Sequence, residues 1–86
     1  MATFTSEQVK GIKESAQRVT DLVLDSAKRI EALDCPQYLA VEIMALVEWC
    51  SPTIDQQSAV AKTVLDSYAW PCGVAYNVKA HFNLPY

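Results

Sequence analysis

Three cysteines, Cys35, Cys50 and Cys72, and one histidine, His81, are the side chains of this chain best suited to nucleophilic or metal chemistry. A thiol held beside an imidazole supplies a nucleophile and its base. Cys72 and His81 are the obvious pair, but they stand nine residues apart. If the segment between them is an extended strand, they face opposite sides and lie ~30 Å apart at about 3.3 Å per residue. No dyad is expected from that geometry. Zinc asks for four ligands, commonly with two of them at C-x-x-C spacing. The cysteines here are separated by 15 and 22 residues, so no metal site is expected either.

Acidic residues offer little more. Asp21 and Asp25, four apart, share a helix face in the manner of a metal-binding pair, yet both lie outside the apolar stripe and read as solvated charges. Glu42 sits among Val41, Ile43 and Leu46 and reads as an acid that reaches the rim or pairs with a Lys or Arg, in preference to one sealed in the core. No glycine-rich phosphate loop, nucleophile elbow or calcium loop is present in the sequence. The expectation is a protein that is not an enzyme and carries no cofactor.

Composition narrows the class further. At 86 residues, with 51% apolar side chains and two glycines, the chain is expected to form a single small folded domain over 1–86. A net charge of −3 with seven scattered basic residues argues against nucleic acid, whose phosphates call for clustered Lys and Arg. The odd cysteine count, together with the absence of a basic-then-apolar leader over Met1–Lys10, fits a reducing, cytoplasmic setting. The richest apolar run, Tyr38–Cys50, is too short and too interrupted by Glu42 and Glu48 to span a membrane. Eleven of the seventeen charged residues fall in the first 34, so the remainder is expected to hide much of its surface.

These limits leave the elements to be placed. Thr5 and Gln8 match a capping box, and apolar residues then recur to Leu33. Val9, Ile12, Ala16, Val19, Val23, Ile30 and Leu33, with Ser26 as the polar exception, form a seam at coiled-coil spacing. Over about 28 residues such a helix runs ~40 Å, more than so small a domain covers, and part of it is expected to project or meet another chain. The competing reading is a helix that packs on its own domain. Cys35 or Asp34 with Pro36 opens a second helix, central to the core. Ser51 or Thr53 opens a third, with Ile54, Ala61, Val64, Leu65 and Tyr68 on one face and Pro71 and Gly73 ending it. Trp49, Tyr68, Trp70, Tyr76, Phe82 and Tyr86 gather after residue 48, where core filling is their plainest use.

From Val74 to Leu84 the residues alternate: Val74, Tyr76, Val78, Ala80, Phe82 and Leu84 against Ala75, Asn77, Lys79, His81 and Asn83. That is the period of a half-buried strand, yet nothing else in the sequence reads as a strand to pair with it. The predicted fold class is therefore α+β, three helices and a C-terminal strand that pairs between chains, with an all-α bundle as the alternative. Val74, Tyr76, Val78, Lys79, His81 and Phe82 are the candidate partner-binding residues on that edge, open to a second copy or a short linear peptide.

Ala40–Asp66 resembles, without a gap, the two helices of the eight-kilodalton cytoplasmic dynein light chain family, matching at Val41, Glu42, Ala59, Lys62 and Asp66. Trp70, Cys72 and Val74 then fall where that family's first strand carries the same residue types. The pieces Ala59-Val60-Ala61 and Leu65-Asp66-Ser67 are also similar to dynein-light-chain-like domains of flatworm tegumental proteins. The resemblance implies a dimeric hub with helices packed on sheets, a swapped strand and peptide capture by β-augmentation. The family continues through further strands beyond the point where this sequence stops, so its groove residues are not carried over.

The functional expectation is a non-catalytic interaction or assembly module working through an edge strand as a homo-oligomer. A structural subunit oligomerised by the seam Val9, Ile12, Ala16, Val19, Val23 and Ile30 is the alternative. A binder of a small apolar ligand, lined by Trp49, Trp70 and Tyr76, is a further one.

Overall fold

The capping box forms as the sequence predicts: the Gln8 backbone N–H donates to Thr5 Oγ1 at 3.2 Å, and the Thr5 N–H donates to Gln8 Oε1 at 2.8 Å. It opens α1, Ser6–Arg29, in a computed structural model that describes residues 3–84. Tyr86, counted above among the aromatic residues, lies outside them. Three more helices follow: α2, Pro36–Cys50; α3, Gln57–Asp66, entered through a 3-10 turn at Ile54–Gln56; and α4, Val74–Phe82. The described residues contain no strand, so the α+β class is corrected to all-α.

Helix α1 stops four residues short of Leu33. Its end is a Schellman motif, in which the Glu31 N–H donates to Lys28 O at 3.3 Å and the Ala32 N–H to Ala27 O at 2.8 Å. Glu31 takes the left-handed conformation at φ +56°, the place where glycine or asparagine is usual. At 24 residues, about 36 Å, α1 matches the 38 Å long dimension of the molecule. Both α2 and α3 pack along it, so it does not project. Pro36 occupies the first turn of α2 behind Cys35, as expected.

A second correction concerns Val74–Phe82. Pro71–Val74 forms a turn closed by the Val74 N–H donating to Pro71 O at 3.2 Å, with Gly73 at φ +98° in the third position, as a type II turn requires. The chain leaves that turn as a helix. Val74 and Val78 are fully buried and Phe82 is half-buried, an i, i+4, i+8 stripe. Tyr76, on the same face in a strand, is 78% exposed. Asn83, left-handed at φ +56°, ends α4, and the Leu84 N–H donates back to Lys79 O at 3.0 Å.

One hydrophobic core draws on all four helices. Ile12, Ala16, Val19, Val23 and Ala27 of α1 meet Leu39, Ala40, Ile43 and Val47 of α2, Val60, Ala61 and Val64 of α3, and Val74 and Val78 of α4. None of the fully buried side chains among the described residues is aromatic, and the core-filling role expected of the aromatic residues holds only in part: Trp70 and Phe82 pack against the core from its margin, whereas Trp49, Tyr68 and Tyr76 are exposed. Contacts between helices also include polar ones. Thr20 Oγ1 donates to Ala16 O and lies 3.0 Å from Ser67 Oγ, joining α1 to the end of α3. Ser26 Oγ and Tyr38 OH make a short hydrogen bond between α1 and α2.

Two outcomes test this fold. Val78→Ala is expected to cost about 2 kcal/mol in urea unfolding, while Tyr76→Ala stays within about 0.5 kcal/mol. Equal losses at the two positions would restore the strand register. Glu31→Gly is expected to raise stability by about 1 kcal/mol, since an exposed glutamate gives up a left-handed backbone that glycine adopts freely. An unchanged unfolding midpoint would show that the motif carries no strain.

Candidate functional surface

The residues first considered for chemistry do not come together. Cys35 and Cys72 are exposed, Cys50 is half-buried, and all three are free thiols. Cys72 lies in the turn before α4 and His81 in its last turn, so about 10 Å of helix separates them. The extended ~30 Å spacing is thus shortened, but the two are still held at opposite ends of one element. His81 instead reaches across to α2, its Nε2 2.8 Å from Glu48 Oε1. No group of three or more His, Cys, Asp and Glu that could hold a metal ion occurs among the described residues. Asp21 accepts a hydrogen bond from Gln17 Nε2 at 2.8 Å, and Asp25 pairs with Arg29 at 2.7 Å, both exposed. Glu42 is half-buried.

The α1 seam is spent inside the molecule. Ile12, Ala16, Val19 and Val23 are buried in the core, leaving Val9 at 38% and Ile30 at 57% exposed toward its two ends. The candidate edge divides in the same way: Val74 and Val78 are buried, Lys79 and Phe82 half-buried, and Tyr76 and His81 exposed. A helix has its backbone donors and acceptors satisfied internally, so this segment offers no edge for strand addition.

What sequence reasoning missed is a groove between α1 and the end of α2. Gly11, Glu14, Ser15 and Arg18 form its floor, and Trp49, Cys50 and Pro52 its wall, around a volume of about 590 Å³ open to solvent. Trp49 is 73% exposed, and the Arg18 guanidinium carbon lies 5.9 Å from its ring centroid in a cation–π contact. Gly11 has no packing reason to be glycine, because a Cβ there meets nothing within 4 Å. The i, i+4, i+7 spacing of Gly11, Ser15 and Arg18 was available in the sequence, but the approach of Trp49, 31 residues beyond Arg18, was not.

Two smaller grooves lie on the α2–α4 side. Tyr76, Lys79, Ala80, Asn83 and Leu84 line one, and Gln37, Ala40, Val41, Met44 and Asn77 the other. Trp49, Trp70 and Tyr76, proposed above to line one ligand site, share none of the three grooves. Trp70 is turned inward, its Nε1–H donating to Val64 O at 2.9 Å and its ring 4.8 Å from that of Tyr68. Among the described residues no helix is long and apolar enough to cross a membrane. Comparison of the chain with protein-family models, with curated proteins and with solved structures finds no match.

Proposed function

We propose that this chain is a non-catalytic structural subunit that assembles with copies of itself through helix faces. The observation that carries this reading is the exposure of large apolar side chains on and beside the helices: Ile54 is 83% exposed, Tyr76 78%, Trp49 73% and Val41 63%. Scattered apolar residues on a surface are ordinary, but Trp49, Pro52 and Ile54 fall within six residues of sequence at the turn between α2 and α3, and all three are exposed. Covering such side chains removes apolar area from water at about 25 cal/mol per Å². A helical fold supports assembly by packing side chains into grooves, in place of the main-chain pairing that a strand edge would use. Three free thiols suit a reducing compartment, which is where this reading places the subunit.

The measurement that decides is mass in solution by light scattering across a concentration series. A dimer or larger species is expected, dissociating on dilution. A monomer at every concentration up to the solubility limit would sink the reading.

A further inference from the structure

We infer that the groove beside Trp49 is the seat of a second copy of this chain, lying antiparallel with its own α1 across Gly11, Ser15, Arg18 and Leu22. The inference rests on the self-assembly reading above and names its surface. These four residues follow one another at 4-3-4 spacing, which places them on a single stripe of α1 away from the buried one. Leu22, 38% exposed, is the knob on that stripe, and Gly11, with open space where a Cβ would be, is the hole. A two-fold axis midway between them, near residues 16 and 17, lays Leu22 of each copy over Gly11 of the other. A side chain at position 11 would hold the two helices apart; glycine lets them close, at the cost in helix propensity it already carries.

Charge identifies the occupant as a second copy. Glu14 and Arg18 stand four apart in the orientation that favours an ion pair within a helix, yet neither makes an ion pair among the described residues. Arg18 lies on the Trp49 ring instead. The same two-fold axis brings Glu14 of each copy level with Arg18 of the other, offset by about one residue's rise along the helix axis. The groove thus presents a cation and an anion in an arrangement complementary to itself, and both pairs form together. Trp49 flanks the contact and is covered by it.

The test uses the full chain and two charge reversals. Glu14→Arg alone sets two cations together at each contact, and Arg18→Glu alone sets two anions together. Each is expected to weaken the dimer by about tenfold or more. An equimolar mixture of the two variants is expected to form a heterodimer, and the double variant to recover the homodimer. Gly11→Leu, which fills open space in the monomer, is expected to keep the helical circular dichroism and lose the dimer. A wild-type dimer indifferent to both single reversals and to Gly11→Leu would overturn this seat while leaving self-assembly standing. A wild-type monomer throughout would remove both.

Discussion

Contact between four helices through valine and alanine is the constraint on which the rest of this molecule depends. The largest fully buried side chains are Leu39, Ile43 and seven valines, Val19, Val23, Val47, Val60, Val64, Val74 and Val78. Small, stiff side chains lose little rotamer freedom on burial and let helix axes come close, but they fill little volume each. A core of this kind has no room for an indole or a phenol among the helices. Tyr38, Trp70 and Phe82 therefore pack at its margin, while Trp49 and Tyr76 are left in solvent. The exposed aromatic surface is the counterpart of the tight interior. Polar contacts at its margin also link the helices: Thr20 to Ser67 between α1 and the end of α3, Ser26 to Tyr38 between α1 and α2, and Glu48 to His81 between α2 and α4.

Signals local in sequence were legible. Thr5 with Gln8, and Cys35 with Pro36, announce helix starts through chemistry that needs only a few neighbours, and both starts stand where they were placed. The apolar stripe of α1 was also readable as a stripe. Whether it faced its own domain or another chain was not, because that depends on α2 and α3 packing over the stretch from Ile12 to Ala27. The end of α1 carried only the weak signal of Lys28 and Arg29 in its last turn, since Glu31 holds the position at which glycine would have marked the stop.

Helix α4 failed for a more instructive reason. Periods of 2 and 3.6 coincide at every fourth residue, and Val74, Val78 and Phe82 satisfy both. Tyr76 and Ala80 completed the alternation only because exposed positions of a helix also tolerate apolar side chains. The lack of any partner strand was itself visible in the sequence, and it weighed against a strand more than it argued for a second chain. The resemblance to dynein light chains pulled the same way, by implying a sheet that the described residues do not form. The groove was illegible for another reason: it joins residues of α1 to an indole whose place is set by how α1 and α2 cross.

The turn at Pro71–Val74 has a consequence for how cohesion is distributed through the fold. It separates α4 from α3 by a segment without helical hydrogen bonds, and α4 brings only Val74 and Val78 into the buried core, against five apolar residues from α1. Its packing partners are α2 and α3, the same two that cover α1. Lifting α4 away therefore uncovers one side of the α2–α3 pair and leaves the α1 side closed, whereas removing α1 takes away the helix with the most buried residues. The molecule has a firm end at α1 and a lightly held end at α4, and local opening is expected at the second before the first.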